Sequence, residues 1–203
     1  MPILLAITLL LSACSKDDDD AMPSVFTDLV VAKTDANSVI SSITTDDGKE
    51  WGLNHTIVSD VKDSLMRCYC VYKVEGGKLS VYTLKGVFSS YPKEASKYNS
   101  LPTDPVKVVS LWKSGGYLNM HLGIMTTGGG AHKYGFALDS IHNATDNLSK
   151  GTAWFSFLHE RPSDDAESYT EDHYFSMPIR DYADYDSIIV SINTYEGSRT
   201  FRF

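Results

Sequence analysis

Between Tyr117 and Ile124 the chain alternates without a break. Leu118, Met120, Leu122 and Ile124 form one set, and Tyr117, Asn119 and His121 the other. A period of two is the repeat of a β-strand, because successive side chains leave the backbone on opposite sides. Gly115-Gly116, just before it, supplies a tight turn. The same arrangement recurs along the chain. Leu65 to Val74 places Cys68, Cys70, Tyr72 and Val74 on one face and Arg67, Tyr69, Val71 and Lys73 on the other. Gly76-Gly77 then turns the chain into Leu79 to Phe88. No long stretch carries the 3.6-residue period of a helix, so the pattern predicts an all-β protein.

The strands fall into two groups. Val25 to Lys33, Asn37 to Thr45, the Trp51–Leu53 region, Leu65 to Val74 and Leu79 to Phe88 make about five strands over residues 25–90, a count that suits a small OB-like barrel. Asp46-Asp47-Gly48 reads as a hairpin turn inside that group. Tyr91 to Pro105 holds Pro92, Pro102 and Pro105 among Lys, Ser and Asn, the composition of a linker. Strands resume over residues 106–203: Val106 to Leu111, Tyr117 to Ile124, His132 to Leu138, Thr152 to His159, Asp186 to Asn193 and Arg199 to Phe203. Their spacing predicts a β-sandwich. Ser163 to Asp172 is acidic and polar and reads as an exposed loop.

Ahead of both groups, Pro2 to Leu11 is an apolar run ending at Leu11-Ser12-Ala13-Cys14. A spanning helix needs about 20 apolar residues, so this run has the length of a signal peptide instead. The tetrad resembles the lipobox of bacterial lipoproteins, in which small residues admit the peptidase and the cysteine thiol carries a thioether-linked diacylglycerol. Residues 1–13 are therefore expected to be removed and Cys14 to be the lipid attachment site, with residues 14–24 as a tether. No Lys or Arg precedes the run, a departure from that pattern that is consistent with a start further upstream. Ser15-Lys16 and Asp17 to Asp20 resemble the surface-export signal of Bacteroidetes-type lipoproteins. Four adjacent aspartates repel one another and anionic headgroups, which keeps such a tether extended. An outer-membrane lipoprotein exposed at the cell surface is the expected location.

Composition narrows the partners. A net charge of −8 with dispersed lysines argues against a nucleic-acid groove. With Cys14 used by the anchor, Cys68 and Cys70 remain, too few for a disulfide framework. Residues two apart on one strand face hold their Cβ atoms roughly 6–7 Å apart, and a disulfide needs about 3.5–4.5 Å. These thiols are expected to be buried, reduced and free of metal.

Asp46-Asp47-Gly48, the run from Asp104-Pro105-Val106 through Ser114-Gly115-Gly116-Tyr117-Leu118-Asn119-Met120, and the closing hairpin from Ile188 to Phe203 are together similar to the NigD-like family of lipoproteins. The resemblance implies an N-terminal OB-type domain followed by a C-terminal β-sandwich. It implies an association with bacteriocin-type systems through the locus that named the family, and it carries over no catalytic residue.

Other signals point to no chemistry. No H-E-x-x-H or G-x-S-x-G occurs. Gly128-Gly129-Gly130 lacks the G-K-[ST] ending of a phosphate loop. The carboxylates around Asp164 to Asp172 lack calcium-loop spacing. No cofactor, metal or catalytic residue is expected. The expected role is non-catalytic binding or accessory work at the envelope, on a protein, peptide or glycan ligand. The alternatives are an envelope hydrolase assembled from distant side chains and a structural or immunity role beside a bacteriocin-type system. If the sandwich has a ligand face, the alternation puts Tyr117, Asn119 and His121 on it, opposite the core; the competing expectation is that they pair with a neighbouring strand or lie beneath the other domain.

Overall fold

The computed structural model describes residues 25–143, 150–163 and 168–203. The expected signal peptide, Cys14 and the acidic tether lie outside these residues.

Strands β1 (Val25–Thr34), β2 (Ile40–Thr44), β3 (Glu50–Trp51), β4 (Leu65–Glu75) and β5 (Lys78–Gly86) form a five-stranded sheet in the order β3-β2-β1-β4-β5. The two edges meet. Beyond β3, Leu53 bridges Leu79 of β5 in parallel, with Leu79 N–H donating to Gly52 O and Asn54 N–H to Leu79 O, both at 2.9 Å. Strand one thus lies between two and four, and three closes on five in parallel, which is the connectivity of an OB barrel. Register shifts at Lys33/Thr34 and Val71/Tyr72 bend the strands enough to close it. Its interior holds Val30, Ala32, Ile40, Ile43, Cys68, Cys70, Tyr72 and Leu79. The alternation of β4 placed three of these inward; Val74, the fourth, reaches the strand end and is exposed.

The chain leaves β5 as an extended segment, and Phe88–Ser89 (β6) enters the second unit. There β8 (Lys107–Ser114), β9 (Tyr117–Thr126) and β12 (Tyr169–Pro178) join β6 in a four-stranded sheet ordered β6-β12-β9-β8. A five-stranded sheet ordered β14-β13-β11-β10-β7 faces it, built from β7 (Lys93–Glu94), β10 (Lys133–His142), β11 (Thr152–Glu160), β13 (Ser187–Thr194) and β14 (Gly197–Arg202). Between them Leu118, Met120, Leu122 and Ile124 of β9 pack on Phe136, Phe155, Phe157, Val190 and Ile192, with Phe175 and Met177 from β12. This is the sandwich the strand spacing implies.

Two stretches differ from expectation. Residues 91–105 are not a free linker. β7 pairs in parallel with β10, Thr103 bridges His159, and His159 N–H donates to Pro102 O at 2.9 Å. The prolines are compatible with this because Pro102 is asked only for its carbonyl. Tyr169–Asp172, expected in a loop, begins β12 and pairs with β9 from Thr126 to Gly123. β12 gives no alternating signal because its inner half is covered on both faces: Phe175 and Met177 lie in the sandwich core, and Ser176 is equally buried on the opposite side. The four-stranded sheet is therefore a middle layer, between the other sheet and the barrel.

Candidate functional site

The outer face of β4, carrying Arg67 and Tyr69, packs on the outer face of β9 and β12. Arg67 is 5% exposed and Asn119 and Ser176 are fully buried, so this seam excludes water from charged and polar groups, which must then find partners. They do. Arg67 holds Asp46 in two bonds, Nη1 to Oδ1 at 2.5 Å and Nη2 to Oδ2 at 2.7 Å. Its Nε donates to Ser176 Oγ at 3.2 Å and its Nη2 to Asn119 Oδ1 at 3.2 Å. Ser176 Oγ donates to the same Asn119 oxygen at 2.7 Å, Asn119 Nδ2 donates to Ser114 Oγ at 2.9 Å, and Ser114 Oγ donates to Asp46 Oδ2 at 2.5 Å. The guanidinium also lies over the Tyr117 ring, 4.2 Å from its centroid. A planar fork with several fixed donors suits this geometry as a lysine would not.

The local backbone brings Asp46 into reach. It sits in the β2–β3 turn, where Gly48 takes φ +86° and Thr45 Oγ1 donates to Asp47 Oδ1 at 2.6 Å. That turn rests on the β8–β9 turn, and Gly115, at φ +59°, has Asp46 where its side chain would be.

Tyr117, Asn119 and His121 thus do share a face, opposite Leu118, Met120, Leu122 and Ile124, and that face lies under the barrel. Asn119 is sealed in the clamp. Tyr117 is half-buried beneath Arg67. His121 reaches the rim of the seam: its ring stacks on Tyr174 at 4.5 Å, and Tyr174 stacks in turn on Tyr69 of the barrel at 5.1 Å. Nε2 of His121 comes within 3.3 Å of Asp172 Oδ1 without the alignment of a hydrogen bond.

Beside this column the seam opens into a crevice of about 450 Å3. One wall is Thr27, Asp28, Leu29 and Tyr69 of the barrel; the other is Ser110, Trp112, Ser114, His121 and Tyr174 of the sandwich, with Asp46 also lining it. Asp28 accepts a bond from the Tyr72 hydroxyl at 2.7 Å. Burial, helped by that bond to Asp28, pushes the Tyr72 phenol well above its usual range. Sequence reasoning missed Arg67, Asp46 as a ligand of it, and Tyr174. The one signal for Arg67 was its place beside Tyr69 and Val71 on a face otherwise suited to burial.

Two other sets of titratable side chains are buried, the cysteine pair and His159. Cys68 and Cys70 are buried free thiols, and burial raises them to about 11 and about 12, which keeps them protonated and poor as nucleophiles. His159 is buried at 2% exposure. Its Nδ1 lies 3.1 Å from Asp104 O and its Nε2 2.8 Å from His132 Nδ1. The arrangement is consistent with His159 donating to the carbonyl and accepting from His132. Among the described residues no group of three or more His, Cys, Asp or Glu is placed to hold a metal ion, and no helix is long and apolar enough to cross a membrane.

Fold and seam define a class: two-part β proteins in which an OB-type barrel is clamped by a buried arginine onto the middle sheet of a sandwich. Residues 89–203 match the NigD-like C-terminal beta sandwich domain, and the chain belongs to the NigD-like family. Among solved structures it is similar to a NigD-like immunity protein from Bacteroides caccae, with 26% identity, a TM-score of 0.68 and coverage of 89% of this chain and 92% of that one. A putative toxin-related protein from Parabacteroides distasonis shares the fold at 16% identity and a TM-score of 0.63, covering 89% of this chain and 92% of that one. So does a putative lipoprotein from Bacteroides fragilis, at 11% identity and a TM-score of 0.59, covering 89% and 97%. No curated protein sequence matches the chain.

Proposed function

We propose that this protein is a non-catalytic lipoprotein, held to the outer membrane through Cys14 and exposed at the cell surface, that binds a partner in the crevice between barrel and sandwich. The observation that carries the binding role is the crevice itself: a walled opening at the rim of a seam whose clamp groups, Arg67, Asp46, Asn119, Ser114 and Ser176, are already satisfied by one another. Such a site offers a fixed surface for recognition. The Leu11–Cys14 tetrad and the aspartates behind it support the location, as does the likeness to a structure described as a putative lipoprotein. An immunity role is a second reading, favoured by the description of the Bacteroides caccae structure; it requires the same crevice to recognise the agent being neutralised.

The test uses the intact lipidated protein in its native membrane. Cys14→Ala should move the protein from the membrane to the soluble fraction. A pull-down from native membranes should recover a partner with the wild-type chain and lose it with Trp112→Ala, Tyr174→Ala combined. Retention of Cys14→Ala in the membrane with an unacylated N-terminus contradicts the anchor, and undiminished recovery by the double variant contradicts the crevice.

A further inference from the structure

Each sheet of the sandwich ends in an open edge on the side away from β6 and β7: β8 in one sheet, β14 in the other. The two edges flank a groove of about 500 Å3, with Val109 and Leu111 of β8 on one side and Arg199, Phe201 and Arg202 of β14 on the other. The edges are not equivalent. β8 is bulged at its middle, where the register shifts between Val108 and Ser110 and Val109 is left out of the ladder. A bulge breaks the regular row of groups that a further strand needs. β14 is regular: Gly197 to Arg202 pair with Thr194 to Ile189 of β13 without a shift.

Ile188 and Phe203 exchange two backbone bonds, each of 2.9 Å. In an antiparallel ladder such pairs recur at every second residue, so Phe201 and Arg199 also turn their N–H and C=O groups toward β13. Those of Ser198, Thr200 and Arg202 turn outward, and no described backbone group meets them there. A row of donors and acceptors at strand spacing is the complement of another extended backbone. The side chains narrow the kind. Phe201 and Phe203 are half-buried against the sandwich core. Arg199 lies over the Phe201 ring, 5.2 Å from its centroid, and Arg202 donates from Nε and Nη2 to Ser187 Oγ, a neutral partner. No carboxylate lines the groove.

We propose that β14 receives an extended acidic segment of another protein as a sixth strand, its backbone on Ser198, Thr200 and Arg202, an apolar side chain in the groove beside Phe201 and a carboxylate at Arg199 or Arg202. A second copy of this chain is the poorer occupant. Pairing β14 with itself would bring two arginines from each copy onto one short ladder, and like charges facing each other across strands are destabilising. The same charges that turn away a second copy attract a strand bearing carboxylates. This edge is not part of the crevice between barrel and sandwich, and neither reading depends on the other.

The experiment titrates the full mature protein with a capped peptide of alternating Val and Glu, its Val and Lys counterpart, and the Val and Glu peptide N-methylated at alternate residues, which keeps its charge and cannot pair as a strand. Calorimetry is read at about 0.15 M salt, where interactions between exposed charges are largely screened beyond about 8 Å. Amide hydrogen exchange is followed by NMR on the same samples. The Val and Glu peptide should bind and the other two should not. The amides of Ser198, Thr200 and Arg202 should exchange freely in the protein alone and become protected in the complex. Thr200→Pro removes an outward N–H and no bond to β13, a place where an edge strand tolerates proline. It should weaken binding about tenfold, the worth of one backbone hydrogen bond. Arg199→Glu, which leaves the backbone intact, should weaken it at least as much. Equal binding of the lysine or the methylated peptide would reduce the effect to general stickiness or charge and overturn the proposal. Failure of the Val and Glu peptide to bind, or binding that leaves the three amides unprotected, would overturn it too. Dimerisation of the protein alone with those amides protected would give the edge to a second copy and overturn it in that direction.

Discussion

Burial of His159 should make the sandwich sensitive to acid. Burial holds its imidazole below the usual value of 6.5, opposed in part by the bond to the Asp104 carbonyl. A depressed histidine binds its proton more readily in the unfolded chain, so its contribution is fully present above about pH 6.5 and is lost as pH falls through the lower folded-state value. The melting temperature should be flat from neutral pH to about pH 8 and decline as pH falls below about 6.5. His159→Gln should be less stable at neutral pH and show a shallower decline; an unchanged slope would mean other groups set it. Legibility at this scale followed burial on one side. Leu118, Met120, Leu122 and Ile124 were readable because an apolar set alternating with a polar one has a single sensible orientation. Asn119 was readable only as two alternatives, a ligand face or a seam beneath the other domain, because a polar residue covered by another part of the molecule looks like one facing water. Only the partner shows the difference, and Arg67 lies far away in the sequence.

At the scale of elements, the contact between the β2–β3 turn and the β8–β9 turn fixes how barrel and sandwich meet. Both turns use glycine at positive φ, in different surroundings. A side chain at Gly48 would meet open space, whereas one at Gly115 would collide with Asp46. Gly48→Ala should therefore cost roughly 1 kcal/mol from backbone strain alone. Gly115→Ala should cost clearly more, since it also displaces the carboxylate that neutralises Arg67. Urea denaturation of the two variants measures this, and equal losses would show that Asp46 moves aside freely. Asp46-Asp47-Gly48 and Gly115-Gly116 marked these turns in the sequence, and the alternation marked most strands. β12 and the 91–105 segment were missed for opposite reasons: one is covered on both faces and loses its alternation, and the other carries Pro102 where only a carbonyl is needed.

Across the whole molecule, the fold class and the order of barrel and sandwich were legible, because strand count and turn spacing constrain both. Their joining was not, since it depends on a polar network closed over long sequence separations. That network leaves each part with its own apolar core and makes the seam between them polar. Removing one member of a buried ion pair costs about 3–5 kcal/mol, because the partner charge is stranded; Asp46, 20% exposed at its side chain, places Arg67→Met at the lower end, about 3 kcal/mol. The loss should also uncouple the two parts, since the bonds of Arg67 to Asn119 and Ser176 disappear and, of the clamp's described bonds, that of Ser114 to Asp46 is left to cross the seam. Differential scanning calorimetry of the full mature protein tests this directly. The wild type should melt in one transition, and Arg67→Met should melt earlier and in two. Two separate transitions in the wild type, or a single unshifted one in Arg67→Met, would contradict a clamp that makes barrel and sandwich one unit and gives the crevice its walls.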